Sequence, residues 1–366
     1  MSDVARHDRG STDWLGAFQL FALAVVGVRF VQGFIFWGGA SRRMIYDWHE
    51  IDGVGHAVKL DIDAMGFVAD KMTHALPGTL WIQDILEWTL ANPDLLLAAV
   101  WGWTLAELAV GIGLIAGVFT RSLAAVSIFL NLNLMLIFGW MGSTCLDEWT
   151  MAVSGVALSG IVVICGAGAF SLDAVIARRM PGLAAWRWFP WLASGPLSTG
   201  AVKRLSWSLA AICVVFTVGS YHILFGAVVS PLHSRVAYHT HHVTLSDVTI
   251  SANGAVSFHA YVDAGPDTGE AYIVSAQLES AGGTVASWDG AMLASLDETA
   301  FDNRYPYVWA SRFGTETVGF SGITGAQATV RLPTPTDAPN LAPGNYTLVL
   351  EAINGQHWEA TGAIGD

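Results

Sequence analysis

Five long apolar runs dominate this chain of 366 residues and leave little room for a water-soluble fold. They are Trp14–Trp37, Leu95–Phe119, Leu123–Trp140, Met151–Leu172 and Trp207–Val229. Strong polar residues inside them are few: Gln19, Arg29 and Gln32 in the first, Glu107 in the second, Asn131 and Asn133 in the third, and His222 in the fifth. At about 1.5 Å of rise per residue, each run crosses a hydrocarbon layer of about 30 Å. Five transmembrane helices are therefore expected. Tryptophans near the run ends (Trp14, Trp37, Trp140, Trp149, Trp207) suit the membrane–water interface. The first run is too long for a signal-peptide core and has no small-residue cleavage site after it, so it is expected to be retained.

Composition agrees. Counting its 39 glycines, the chain is roughly 64% apolar, against about 45–50% in ordinary soluble domains. Charged residues make up 13%, about half the usual share. These values argue against a cytosolic enzyme or a disordered chain. The net charge of −13 repels nucleic acid. Three cysteines exclude a disulfide scaffold and leave no zinc-binding pattern.

Orientation follows from the cations. Arg178, Arg179, Arg187, Lys203 and Arg204 lie between the fourth and fifth runs, with Asp173 the one acid. That segment is expected in the cytoplasm, with Arg121, Arg6 and Arg9 and hence the N-terminus on the same side. Segment 39–94, the loop 141–150 and everything after the fifth run then fall outside. After Ser230 the pattern changes to alternation: Val256, Phe258, Ala260, Val262; Tyr272, Val274, Ala276, Leu278; Tyr346, Leu348, Leu350, Ala352. Turn signals at Asn253-Gly254, Gly265-Pro266, Gly282-Gly283 and Pro343-Gly344-Asn345 separate the runs. About seven short strands so spaced predict an all-β, immunoglobulin-like sandwich outside the membrane. Its 14 acids and 4 cations carry most of the net charge. The expected domains are 1–180, a four-helix transmembrane bundle with outer segment 39–94; 181–230, a cytoplasmic linker and the fifth helix; and 231–366, the β domain.

Several residues stand out chemically. Arg29 and Glu107 are charges inside the expected bilayer, where each needs a partner or a function. They read as a buried pair fixing the bundle, as polar lining for a quinone head group, or as both. Arg42 and Arg43 follow the outer end of the first helix, where cations are disfavoured unless they bind something. Guanidinium forks match oxyanions. Lys71 and His74 share one helix face, as a solvated surface or as part of an anion site. The loop Gly142-Ser143-Thr144-Cys145-Leu146-Asp147-Glu148-Trp149 sets a thiol beside two carboxylates near the outer surface. Cys145 would need a nearby cation to become reactive, whereas Cys165 and Cys213 read as small core residues. His239 and His241 would share a strand face and could hold copper or zinc, or simply belong to a polar linker. Trp288, Tyr305, Tyr307 and Trp309 read as sandwich core or as a cover for the pocket mouth.

These motifs carry a resemblance. Arg29 followed by Gly38-Gly39, and Glu107-x-x-x-Gly111-x-Gly113-Leu114 running into Gly117-Val118-Phe119-Thr120-Arg121, resemble the DoxX/DoxD membrane proteins. Gly39-Ala40-Ser41-Arg42-Arg43, Lys71 through Gly78 and the run from Phe138 to Trp149 are similar to DoxD, the membrane subunit of thiosulfate:quinone oxidoreductase. The region from the fifth run onward resembles DoxA, fused as in DoxDA proteins. The resemblance implies oxidation of thiosulfate to tetrathionate, with electrons passed to a membrane quinone of the ubiquinone or caldariellaquinone type. No flavin, haem or iron–sulfur motif is present in the sequence.

On that basis Cys145, His74 and Glu107 are the expected catalytic residues. Arg42, Arg43 and Lys71 are expected to hold thiosulfate. Arg29, Glu107, Trp140 and Trp149 are expected to line the quinone site, with no metal. The expected partners are thiosulfate, quinone and the bilayer of the inner cell membrane, with a homo-oligomer allowed and no nucleic acid. The competing expectation is a non-catalytic membrane subunit, or scaffold, of a quinol oxidase or other sulfur-oxyanion electron-transfer complex.

Overall fold

The computed structural model describes residues 4–46, 48–51, 54–63, 67–141, 147–168, 170–225, 240–266, 268–308, 310–335 and 340–364. Side chains of 4–20, 46, 48–51, 54–58, 147 and 225 lie outside that description. Five helices among the described residues are long and apolar enough to cross a membrane: Phe21–Ile45, Pro93–Ala116, Thr120–Phe138, Glu148–Cys165 and Thr199–Leu224. The chain is thus a multi-pass membrane protein. The first helix, α1 (Val4–Ser41), is longer than its apolar part and passes into a single wide turn, Arg42–Tyr46.

The spans are shifted from the expected ones. The fourth, expected to reach Leu172, stops at Cys165. Gly166 and Gly168 both adopt φ of +75°, a left-handed backbone that ends a helix. Ser171 then caps the next helix, α7 (Leu172–Arg179), by accepting a hydrogen bond from the Ala174 N–H at 3.2 Å.

The chain forms two compact units. The first comprises Met1–Leu60, Ala98–Met135 and Asp147–His222. It holds α1, most of α4 (Pro93–Ala116) and α5 (Thr120–Phe138), α6 (Asp147–Cys165), α7 and most of α10 (Thr199–Phe225). In it, α1 and α4 meet through glycines. A Cβ on Gly33 would lie 3.0 Å from the Gly111 carbonyl oxygen, and one on Gly111 would lie 2.6 Å from the Trp37 nitrogen. Small residues let two backbones approach this closely where lipid supplies no hydrophobic drive. Val25, Phe36, Val110, Leu114, Ala124, Leu130 and Val162 fill the space beside them.

The second unit comprises Asp61–Leu97, Leu136–Leu146 and Ile223–Asp366. Its ten described strands are linked by hydrogen bonds in one sheet: β7-β10-β4-β3-β12-β11-β5-β9-β8, with β6 beside β5. The strands are β3 (His242–Ile250), β4 (Val256–Ala264), β5 (Glu270–Ser280), β6 (Gly283–Trp288), β7 (Phe301–Asn303), β8 (Phe313–Thr315), β9 (Phe320–Ile323), β10 (Gln327–Leu332), β11 (Gly344–Ala352) and β12 (His357–Ile364). All pairs are antiparallel except β12 with β3. The sheet curls until its two edge strands meet. The Asn303 side chain on β7 donates to the Phe313 carbonyl on β8 at 3.0 Å and accepts from the Phe313 N–H at 2.8 Å. This near-barrel does not confirm the immunoglobulin-like sandwich expected from the sequence.

Alternation places Phe258, Ala260 and Val262 in the core as expected. On β5 the expected inward face is wrong at one end. Ala271 and Ile273 are buried while Tyr272 is exposed, because the register against β11 shifts and Val274 is left over. Trp288 is core, with its indole donating to the Pro333 carbonyl at 2.8 Å.

Candidate functional site

Glu107 is 6% exposed on a helix whose surroundings are apolar. One carboxylate oxygen accepts from the Trp103 indole at 2.6 Å, one helical turn earlier. The other accepts from Arg43. Arg43 also donates from Nε to the Thr104 hydroxyl at 3.0 Å, and Thr104 in turn donates to the Val100 carbonyl at 2.8 Å. Two features of α1 bring this about. The wide turn Arg42–Tyr46 continues the helix and keeps Arg43 facing α4. Gly39, one turn before, has no side chain to fill the space: a Cβ there would lie 2.9 Å from Glu107 Oε2. Arg42 is exposed and within electrostatic reach of Glu107. A carboxylate that low dielectric penalises is thus held by one guanidinium and one indole.

The Arg29–Glu107 pair expected from the sequence is not formed. Arg29 is 3% exposed and donates from Nη2 to the Phe170 carbonyl at 2.6 Å. It packs against Gly117, ten residues beyond Glu107 along α4 and its end, a separation of about 15 Å. Its Nε and Nη1 have no hydrogen-bond partner among the described residues.

Near Arg29 a second network surrounds Asp173 and Arg121. Asp173 accepts from the Phe119 and Thr120 N–H groups at 2.9 and 3.1 Å, and from the Thr120 and Ser194 hydroxyls at 2.8 and 2.9 Å. Arg121, 5% exposed, donates to the carbonyls of Val163 at 2.9 Å, Ile164 at 3.3 Å and Gly195 at 3.0 Å, and to that of Pro190. It tethers the end of α6 and the segment before α10 to the start of α5. In the sequence Arg121 served the orientation and the DoxX/DoxD resemblance, and its place at this hub was not expected.

Most of the other expected residues lie in the second unit. Lys71 and His74 sit on α2 (Ala69–Ala75), Lys71 exposed with its ammonium 5.3 Å from the Phe138 ring centroid. The His74 ring is 5.9 Å from that of Trp140. Trp140 is 1% exposed and donates to the Ala75 carbonyl at 2.9 Å, so its indole packs and anchors α2. Burial raises the Asp70 pKa, and His74 nearby offsets part of this. The β domain closes over α2 and α3 (Gln83–Leu90). Ser311 N–H donates to the Thr73 hydroxyl at 2.9 Å, Tyr307 donates to the Leu90 carbonyl at 2.7 Å, and Arg304 pairs with Glu87 at 3.3 Å. Tyr305 and Tyr307 are both buried. Burial pushes the Tyr305 phenol up to about 12.

His241 is 9% exposed, and its Nε2 has no partner among the described residues. Burial, then the charge of His74, lowers its pKa, against an opposing pull from Glu270. Trp149, back in the first unit, donates to Ser220 at 3.0 Å and stacks edge-on against Tyr221 at 5.2 Å, joining α6 to α10. Cys165 and Cys213 are half-buried free thiols. Cys145, His239 and Trp309 lie outside the described residues. Among the described residues no group of three His, Cys, Asp or Glu side chains could hold a metal. The sequence reading also missed Trp103 and Thr104. The available signal was their spacing of four and three residues before a membrane carboxylate, which puts all three on one helix face.

Two family models match the chain, one after the other. Residues 25–197 match the family described as TQO small subunit DoxD. Residues 224–361 match the family described as TQO small subunit DoxA. No solved structure matches.

Proposed function

From the premise that the chain belongs to the DoxD and DoxA families of thiosulfate:quinone oxidoreductase (TQO) subunits, joined in one polypeptide, we propose that it oxidises two thiosulfates to tetrathionate and reduces a membrane quinone. The observation that carries this reading is the Arg43–Glu107 couple. It sets an anion-attracting charge and a proton-holding carboxyl together within a membrane-spanning bundle. Quinone dissolves in the same bilayer and takes up two protons with its two electrons. Thiosulfate oxidation releases none, so the protein must bring protons to the reduced quinone. In this reading Glu107 carries them, and Arg43 with Trp103 holds the carboxyl in place.

Arg42, Arg43 and Lys71 attract the dianions, and His74 assists proton transfer. The Cys145 thiolate and one thiosulfate form a sulfur–sulfur bond as two electrons go to the quinone. The terminal sulfur of a second thiosulfate then attacks the sulfur attached to Cys145. That releases tetrathionate and returns the thiolate, as in thiol–disulfide exchange. The N-terminus and the Arg178–Arg204 segment lie in the cytoplasm and the β domain outside. The strong cation bias of that segment supports this orientation.

The test uses the purified chain in detergent with thiosulfate and a decyl-quinone, followed by quinone absorbance. Thiosulfate-dependent reduction is expected; none from folded protein would sink the proposal. Full turnover by Cys145→Ser would remove the covalent step and leave direct oxidation of bound thiosulfate by quinone.

A further inference from the structure

The segment from α7 to the start of α10 has a surface unlike the rest of the first unit. Arg178, Arg179, Arg187, Lys203 and Arg204 are all exposed, and among the described residues none pairs with a carboxylate. The one acid of the segment, Asp173, is 1% exposed and consumed by the four donors described above. Between these cations stand Trp186, Trp188, Trp191 and Trp207, at 51%, 47%, 47% and 71% exposure. The arrangement is fixed. Phe189 and Ala193 are buried beneath it, Arg121 grips the Pro190 and Gly195 carbonyls, and Ser122 donates to the Leu192 carbonyl at 2.8 Å. The Arg187 guanidinium lies 5.0 Å over the Trp188 ring.

Large exposed indoles would be costly against bulk water. They are at home at the edge of a bilayer, and the segment follows directly on a span ending at Cys165 and precedes one starting at Thr199. Its net positive charge selects among lipids. On the first turns of α10 an open groove of about 580 Å³ is lined by Gly200, Lys203, Arg204, Trp207 and Ser208. Two cations and a hydroxyl there can donate to a phosphate, while the Trp207 indole offers an apolar wall to an acyl chain.

We propose that this surface binds anionic phospholipid of the adjacent leaflet, with one phosphate head group seated between Lys203, Arg204 and Ser208. Zwitterionic phosphatidylcholine carries the same phosphate but no net charge, so it is held less tightly. Each cation near an anionic membrane surface is worth about a fivefold preference. Losing both groove cations should therefore lower that preference by about 25-fold.

The test is native mass spectrometry of the full chain extracted from nanodiscs of equal parts phosphatidylglycerol and phosphatidylcholine. Wild type should retain phosphatidylglycerol, and Lys203→Gln/Arg204→Gln should lose that retention. Lys203→Arg/Arg204→Lys should keep it. A second arm needs no variant: added phosphatidylglycerol should raise the melting temperature of the wild-type chain in detergent more than phosphatidylcholine does, and salt should erase the difference. Equal retention of both lipids, unchanged retention in the Gln variant, or equal stabilisation by the two lipids would each overturn the proposal. Inorganic phosphate reproducing the whole effect would overturn it too, by making the groove a free-anion site.

Discussion

Two arginines in the first unit meet the same difficulty, a guanidinium removed from water, and meet it differently. Arg121 is surrounded by four carbonyl oxygens. Arg43 is joined to a single carboxylate and one hydroxyl, with its side chain 15% exposed. The first arrangement uses most of the guanidinium donors on fixed backbone, so nothing is left to react. The second keeps a titratable partner and an open side. Near-complete satisfaction marks architecture, and incomplete satisfaction around a proton-holding group marks chemistry.

The most severe way to break this contrast is Arg121→Ala. It strands four carbonyls and the charge on Asp173, and we expect a loss of about 3–5 kcal/mol in stability. Thermal melting and yield of folded protein in detergent would report it. If Arg121→Ala melts like wild type, the architectural role fails. Glu107→Gln should do the reverse. The amide oxygen still accepts from Trp103, but its NH2 group then faces Arg43, so the fold survives with a loss of about 1–3 kcal/mol while quinone reduction falls about 100-fold or more. The pair of readouts, kcat lost with a smaller fall in melting temperature than in Arg121→Ala, separates the two roles.

Arg43→Gln sharpens the contrast further. It should raise KM for thiosulfate about tenfold with a smaller change in kcat, as loss of a charge-assisted contact of about 1.4 kcal/mol would. A change in kcat alone would mean that Arg43 serves Glu107 and not the substrate.

The second unit offers a third treatment of a buried base, keeping it neutral, and the smallest effect. Burial lowers the pKa of His241, and it lowers that of His259, helped there by Arg304. The unfolded chain then binds protons that the folded one does not, so stability is complete above the ordinary histidine pKa of about 6.5. It declines as pH falls below that value, by at most about 1.4 kcal/mol per pH unit for each histidine. His241→Asn should flatten the slope between neutral pH and pH ~5. An unchanged slope would show that His241 is protonated in the fold.

The five spans were legible because hydropathy is a local property. Their ends were not, since glycine backbone at 166 and 168, rather than loss of apolar side chains, stops the fourth. Nor does hydropathy show which cation meets Glu107: Arg43, fourteen residues and about four turns beyond Arg29, is the one that reaches it. The strands were legible from alternation and turn residues. Their joining was not, because the parallel contact of Thr249 with Ala363 and the closure by Asn303 link residues far apart in sequence. Tyr272 was misplaced for the same reason: a one-residue slip against a distant strand leaves no mark in the local pattern.

The boundary between the two family matches, which end at 197 and begin at 224, is only one of the places where the fold divides, because the second unit also takes Asp61–Leu97 and Leu136–Leu146 from the DoxD stretch. Thr73, Glu87 and Leu90 come from the DoxD stretch, yet they clasp Ser311, Arg304 and Tyr307 of the DoxA stretch inside one unit. A protease cut in the stretch leading into β3 should therefore leave two polypeptides that copurify. A C-terminal fragment made alone would bare its tyrosines and seek a substitute mate. Fusion, on this view, guarantees equal supply and instant meeting of two halves whose grip on each other is noncovalent.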